Sequence, residues 1–133
     1  MLSTTNAYSS FAAKDIAAAK RFYGETLGID VNELYGGQLL ELRLRSDTRV
    51  LVYAKEDFAP ATYTVLNFPV PDVDATVDEL RRNGVEMARF DGFHQDEKGI
   101  ARPSSVGEGP TIAWFRDPDG NILAIHSEEP PPS

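Results

Sequence analysis

The stretch FAAKDIAAAKRFY, residues 11–23, is matched by FPVPDVDATVDEL, residues 68–80, at a constant offset of 57 positions, from Asp15 to Asp72. In each copy an aspartate stands where a helix N-cap belongs, and an apolar residue follows it. Apolar side chains three and four positions apart then form one face of each segment. The repeat therefore predicts two short amphipathic helices, each of which needs a surface to pack against.

Short β-prone runs flank both helices in the same order. Gly28 and Gly84 fall where the helices are expected to end, since glycine accepts the left-handed conformation of that position. The runs predicted as strands are Ala7–Phe11, Asp30–Tyr35, Gln38–Leu44 and Arg49–Tyr53 in the first half, and Thr62–Phe68, Val85–Phe90, Thr111–Phe115 and Asn121–His126 in the second. Each half is therefore a βαβββ unit, and the fold class is α+β.

The stretch WFRDPDGNILAI, residues 114–125, joins the last two strands. Pro118 presets the backbone angle of the second turn position, and Gly120 accepts a positive φ. These residues predict a tight hairpin between the strands.

The duplicated βαβββ order resembles the vicinal oxygen chelate superfamily, which includes glyoxalase I, extradiol dioxygenases and bleomycin-type antibiotic-binding proteins. Three motifs carry the resemblance over residues 7–127: DIAAAKRFYGETLGI, VPDVDATVDELRRNGV and FRDPDGNILAI. The resemblance implies a single domain of two modules, residues 7–58 and 62–127, that form a curved, cup-like mixed sheet around a ligand site. Residues 128–133 are charged and proline-rich, and we expect them to form a disordered tail.

Enzymes of this superfamily usually hold a divalent metal in the cup with His or Glu side chains. The resemblance places three of the ligand positions at Tyr8, Val65 and Ala124, and the fourth in the strand Arg49–Tyr53, which contains no His, Asp or Glu. Valine and alanine offer no donor atom, and a metal needs several converging donors. We therefore expect no metal and no cofactor.

The same positions describe a mostly apolar pocket. Side chains two apart share a strand face, which extends the set along each strand. Aromatic rings with a few polar groups suit a planar or amphipathic small molecule. An alternative is that the same rings form ordinary core. The candidate ligand-binding residues are Tyr8, Ser10, Tyr53, Tyr63, Val65, Asn67, Trp114, Ile122, Ala124 and His126.

The stretch 91–110, DGFHQDEKGIARPSSVGEGP, has no clear period. Loops of this length are usually functional lids or disordered. A solvated loop is one interpretation and a ligand lid is the other. The candidate lid residues are Phe93, His94, Asp96, Lys98 and Arg102.

The formal net charge is −8 and the chain contains no cysteine. An acidic chain is not expected to bind nucleic acid, whose phosphates need a basic face. No apolar run is long enough to cross a bilayer, and no signal peptide is evident, so we expect a cytoplasmic protein without membrane contact. The acidic charge favours aromatic ligands that are cationic or neutral.

Three functions remain open. The first is a metal-free protein that binds a small organic molecule. The second is a glyoxalase-like or dioxygenase-like enzyme with a relocated metal site. The third is a metal-independent enzyme in which Tyr8, His126 or a lid residue acts as acid or base. The missing donors favour the first over the second. Relatives commonly pair, so we expect a homodimer.

Overall fold

The structure is a computed structural model that describes residues 1–102 and 110–128. The chain divides into two compact units, Met1–Pro60 and Ala61–Ser133. Each unit holds a four-stranded mixed sheet and one α-helix. The two units have equivalent strand orders, which confirms the βαβββ repeat and the α+β class.

The first unit has the strand order β1-β4-β3-β2, with β1 and β4 parallel and the other pairs antiparallel. A π-helical turn, Phe22–Thr26, prolongs α1. The elements are β1 (Ser9–Ala13), α1 (Ile16–Arg21), β2 (Asp30–Leu34), β3 (Leu39–Arg43) and β4 (Arg49–Ala54).

The second unit has the order β5-β8-β7-β6, again with one parallel pair, β5 and β8. Its elements are β5 (Thr64–Val70), α2 (Val73–Arg82), β6 (Met87–Ala88), β7 (Ile112–Arg116) and β8 (Ile122–Ser127). Of the described helices in either unit, none is both long and apolar enough to cross a membrane.

The predicted helix caps are confirmed. Asp15 accepts a hydrogen bond from the backbone N–H of Ala18 at 3.0 Å, and Asp72 accepts the equivalent bond from Ala75 at 3.0 Å. Each bond satisfies an amide that the first helical turn leaves without a partner. Gly84, with φ of +89°, follows α2 in the left-handed conformation predicted for it.

The predicted hairpin turn is also confirmed. The N–H of Gly120, whose φ is +93°, donates to the carbonyl oxygen of Asp117 at 3.0 Å. The buried Asp117 carboxylate accepts bonds from the backbone N–H groups of Asp119 and Asn121 and from the Asn121 side chain. The turn is therefore fixed by side chains as well as by backbone conformation.

In the first unit α1 packs against β3 and β4. Phe11 of β1 contacts the fully buried Tyr23 ring at 5.9 Å between centroids, so the Phe11 side of the sheet faces the helix. Alternate side chains, among them Ser10 and Leu51, therefore lie on the opposite side. We call that side the first distal face.

In the second unit α2 packs against β7 and β8. A separate cluster of buried residues contains Ala88, Trp114, Ile122 and Ala124, and none of its members belongs to α2. Because strand side chains alternate, this cluster marks the side of the sheet away from α2. We call it the second distal face.

Three strands differ from the sequence prediction by two residues at each end, and the other strands differ by at most one residue at either end. β1 and β5 each begin and end two residues later than expected, and β6 is only Met87–Ala88. The Gln95 side chain explains the short β6, because it accepts from the N–H of Phe90 at 2.9 Å and donates to the carbonyl oxygen of Ala88 at 3.0 Å. The Gln95 side chain thus bonds the backbone N–H and carbonyl groups that a longer β6 would pair with a neighbouring strand.

Candidate functional site

The first distal face carries three of the predicted ligand-binding residues. Tyr8 directly precedes β1, Ser10 lies within it, and Tyr53 lies on β4. Ser10 pairs with Leu51 and Ala12 with Tyr53, which places these side chains on one side of the sheet. Tyr8 is 51% exposed and Tyr53 is 39% exposed. The structure therefore brings these predicted residues together with their rings accessible.

A charged cluster on the same face was not predicted. Glu41 of β3 is only 8% exposed. Its Oε1 accepts from Arg43 Nε at 2.8 Å, and its Oε2 accepts from Arg49 Nη1 at 3.0 Å. The Arg49 guanidinium also lies over the Tyr8 ring, 4.5 Å from its centroid. The hydrogen bonds from Arg43 and Arg49 lower the pKa of Glu41, so its carboxylate stays ionised at neutral pH.

A signal for this cluster is present in the sequence. Residues 39–43 read LLELR, with one glutamate inside an apolar strand and an arginine two positions later. A buried carboxylate needs a cationic or hydrogen-bonding partner, and positions two apart share a strand face. Arg49 follows only from the register of β3 with β4, which a single sequence does not provide.

The second distal face holds three further predicted residues, all buried. Ala124 is 0% exposed and lies directly opposite Trp114 across the β7–β8 pair. Ile122 belongs to the same cluster. Trp114 also contacts the Phe90 ring, with 5.6 Å between the centroids. These side chains pack against each other, and the small size of Ala124 accommodates the indole facing it.

The β5 residues are less regular than predicted. A register shift lies between Thr64 and Leu66, so Val65 interrupts the strict alternation expected for Tyr63, Val65 and Asn67. Asn67 is exposed and pairs in register with Ala124. Tyr63 precedes β5 and is 70% exposed.

His126 lies near the end of β8 and is partly buried. Its Nδ1 is 2.9 Å from the carbonyl oxygen of Ser127. A carbonyl oxygen only accepts hydrogen bonds, so Nδ1 is the donor in this contact.

The predicted lid residues separate into different environments. Phe93 lies on the Trp114 ring, with 4.8 Å between centroids, so this part of the loop covers the second distal face. His94 is exposed. Lys98 and Arg102 instead form ion pairs with Asp74 of α2. Residues 103–109 of the predicted loop lie outside the described residues.

Asp96 organises the loop from inside. Its Oδ1 accepts from the backbone N–H groups of Lys98 and Ile100, and its Oδ2 accepts from Arg102. The hydrogen bonds from Arg102 hold the pKa of Asp74 below its ordinary value, and Asp78 raises the pKa of Lys98. The charges at this end of the loop are therefore paired with α2.

A groove of about 380 Å³ lies beside α2. Its lining includes one predicted lid residue, Lys98, and none of the predicted ligand-binding residues. Arg81, Glu86, Arg89 and Glu97 make it strongly charged.

The side chains do not fit the divalent metal that the resemblance implies. Two of the implied donor positions hold Val65 and Ala124, which have no donor atom, and the third holds the phenol of Tyr8. Both carboxylate oxygens of Glu41 are engaged by arginines. In residues 1–102 and 110–128, no three His, Asp or Glu side chains are grouped so that they could hold a metal ion.

The model of the Glyoxalase/Bleomycin resistance protein/Dioxygenase superfamily matches residues 6–125. The chain belongs to this superfamily. The match confirms the resemblance drawn from the repeat and the hairpin, and it covers both βαβββ units.

Several known proteins are similar to this superfamily member. Uncharacterized protein YraH of Bacillus subtilis is 26% identical over 125 residues, which cover 84% of this chain and 89% of YraH. The crystal structure of a putative glyoxalase family protein from Bacillus anthracis has a TM-score of 0.69 at 17% identity, covering 94% of this chain and 97% of that one.

Two further solved structures share the fold and have more specific descriptions. TnmS3, an antibiotic binding protein from Streptomyces, has a TM-score of 0.65 at 24% identity, with coverage of 95% and 98%. A mutant of the fosfomycin resistance protein FosX from Listeria monocytogenes, complexed with Mn(II), has a TM-score of 0.67 at 16% identity, with coverage of 95% and 91%. The fold therefore serves both an antibiotic binding protein and a protein complexed with a metal.

Proposed function

We propose that this superfamily member binds a small organic molecule without a metal, and that the ligand contacts the first distal face. The observation that carries the proposal is the side-chain chemistry at the implied metal positions, where Val65 and Ala124 replace donors. The antibiotic-binding role of TnmS3, which has the same fold, supports a binding function for such a site.

Accessible aromatic rings support the location of the site. Tyr8 and Tyr53 each expose a substantial part of their rings on one sheet face. Ser10 lies on the same face, between the levels of the two tyrosines along the strands. Rings that combine an apolar body with a polar tip suit an amphipathic small molecule. Ala124, Ile122 and Trp114 are buried, so their contribution is to shape the second distal face.

Ligand-detected NMR with a library of aromatic small molecules tests the proposal. We expect binders whose affinity falls by about tenfold in Tyr8→Ala, because stacking of a ligand ring on an aromatic side chain contributes on this scale. Tyr35→Ala is the matched control, since Tyr35 is an exposed tyrosine of the same unit at a turn away from β1. Equal loss in both variants, or no binder in the library, would contradict the proposal.

Elemental analysis tests the second part of the proposal, which is that the protein binds its ligand without a metal. We expect the purified protein to hold far less than one zinc, nickel, iron or manganese ion per chain after mild dialysis, because the donor set is incomplete. About one metal ion per chain would support a relocated metal site instead.

A further inference from the structure

The first distal face brings two arginines directly opposite each other. Arg43 of β3 and Arg49 of β4 are partners in the antiparallel register. Like charges in this arrangement destabilise a sheet unless an anion lies between them. Glu41 lies two residues before Arg43 on the same face and accepts a hydrogen bond from each arginine. The single carboxylate of Glu41 therefore pairs with both arginines.

The two arginines differ in what else neutralises them. Arg43 faces Asp30 across the β2–β3 pair; the hydrogen bond to Glu41 raises the pKa of Arg43 most, and the charges of Glu41 and Asp30 raise it further. Arg49 has Glu41 as its one ion-pair partner among the described residues. Arg49 is therefore the cation whose charge is less fully compensated.

Arg49 is also held in place while most of its N–H groups remain available as hydrogen-bond donors. One N–H of its Nη1 bonds to Glu41, and the Tyr8 ring supports its guanidinium plane. A guanidinium has five N–H donors, and the described residues provide no acceptor for the others on Arg49. Its side chain is 44% exposed, so solvent or a ligand reaches it. A cation that is already oriented loses less entropy when an anion binds.

The surroundings of Arg49 along β4 are apolar. Leu51 follows two residues later on the same face, and Tyr53 follows two residues after that. At about 3.3 Å per residue, the Tyr53 ring begins roughly 13 Å from the Arg49 position. Leu51 is buried, at 8% exposed, whereas Tyr53 is 39% exposed. A flat molecule with one charged end could therefore place its charge at Arg49 and extend its body along β4 towards the Tyr53 ring.

We propose that the first distal face selects a ligand with one oxyanion group on a flat apolar body, and that Arg49 binds the oxyanion. This inference rests on the proposed small-molecule binding and names its ligand class. It differs from the cationic preference expected from the net charge of −8. At contact distance the nearest side chains dominate, because salt screens charges that lie farther than about 10 Å away.

Three naphthalene probes of matched shape test this assignment by NMR titration of the isotope-labelled protein. The probes are 1-naphthoate, the neutral 1-naphthamide and the cationic 1-naphthylmethylammonium. We expect naphthoate to bind at least about tenfold more tightly than the other two, with shift changes at Arg49 and Leu51. In Arg49→Gln the naphthoate affinity should fall to that of naphthamide, while naphthamide binding stays within about twofold of wild type.

Two further variants complete the design. Arg116→Gln is the matched control, because Arg116 is another exposed arginine that lies over an aromatic ring, 5.0 Å from the Phe90 centroid. It removes the same charge and should leave the naphthoate affinity unchanged. Glu41→Gln removes the internal anion and should raise the naphthoate affinity, which also provides a test if Arg49→Gln does not fold.

The outcomes separate this inference from the function it rests on. Equal affinity for naphthoate and naphthamide in both wild type and Arg49→Gln would overturn the anion selectivity and leave small-molecule binding intact. A lower melting temperature of Arg49→Gln with unchanged probe selectivity would show a purely structural ion pair and would also overturn it. No binding of any probe at millimolar concentration would overturn the assignment of Arg49, whereas the proposed function is judged by the wider library.

Discussion

Glu41 combines burial in the sheet with a pair of exposed cations. Because Arg43 and Arg49 donate hydrogen bonds to it, the pKa of Glu41 lies below its ordinary value. A carboxyl with a lowered folded-state pKa stabilises the fold above its unfolded-state pKa. That contribution is lost as the pH falls through the folded-state pKa.

We therefore expect Glu41→Gln to lower Tm at neutral pH and to change it much less at an acidic pH below the lowered folded-state pKa of Glu41. Thermal unfolding followed by circular dichroism at both pH values measures the difference. Glu25→Gln, an exposed glutamate of the same unit, is the control and should parallel wild type. A deficit as large in acid as at neutral pH would show that Glu41 acts through shape alone.

Ala124 provides a second residue-scale prediction. It is completely buried opposite Trp114, so a larger side chain must displace its neighbours. We expect Ala124→Trp to lower the free energy of unfolding by about 1–3 kcal/mol or more, as overpacking of a core does. Ala17→Trp, at an exposed position of α1, is the control and should cost much less. A Tm near wild type would reveal free space beside Ala124, as in a preformed cavity.

Residue positions were predictable where strand alternation alone decides them. Alternation groups Tyr8 with Ser10; Ser10 lies in the regular register of β1 with β4, and Tyr8 precedes the strand and contacts Arg49 on the same face. It could not anticipate the register shift at Val65, and it gave no reason to join Glu41 to Arg49. Both depend on how one strand is aligned with its neighbour, which a single sequence does not encode locally.

At the scale of elements, the helix caps are the prediction that follows most directly from the sequence. Asp72 caps α2 through the N–H of Ala75. We expect Asp72→Ala to lower the free energy of unfolding by about 1 kcal/mol, and Asp72→Asn to lower it much less, because asparagine also caps well. Denaturant unfolding of the two variants measures this, and equal losses would argue against a hydrogen-bonded cap.

The segment before residue 103 is anchored to α2 through Asp74. Arg102 donates two hydrogen bonds to its carboxylate, and Lys98 lies nearby. In Asp74→Asn we expect the amide of Ala101 to exchange hydrogen about two- to fivefold faster, since partly exposed ion pairs contribute modestly. Hydrogen exchange measured by NMR gives the rate.

Asp78→Asn is the matched control for this anchor, because Asp78 pairs with Lys98, whereas Arg102 pairs with Asp74 and Asp96. It should accelerate Ala101 exchange less than Asp74→Asn does. High salt should shrink the difference between wild type and Asp74→Asn, because partly exposed ion pairs are screened. Unchanged exchange in Asp74→Asn would show that the backbone bond from Ala101 to Ile112 holds the segment without help from the ion pairs.

The element-scale predictions succeeded where the signal is local. A capping aspartate, an apolar helical face and the Asp117–Gly120 turn each act within a few residues, so the sequence alone identifies them. The length of β6 depends on Gln95, whose side chain returns to bond Ala88 and Phe90. Nothing in the stretch Val85–Phe90 itself indicates that bond.

The whole molecule is two small units, each with a helix on one side of its sheet. A small unit buries a limited fraction of its apolar surface, and a sheet covered on one side leaves its other side to be covered by something else. Exposed rings such as Tyr8 and Tyr63 are consistent with further association. We therefore predict that the chain forms a homodimer.

Light scattering during size-exclusion chromatography should then give a mass of twice the 14.7 kDa of the chain. Because dimerisation stabilises the folded state by mass action, Tm should rise as the protein concentration rises. The two measurements check each other, since an elongated monomer changes its elution volume but neither its scattering mass nor the concentration dependence of its Tm. A mass of 14.7 kDa with a Tm independent of concentration would contradict the homodimer.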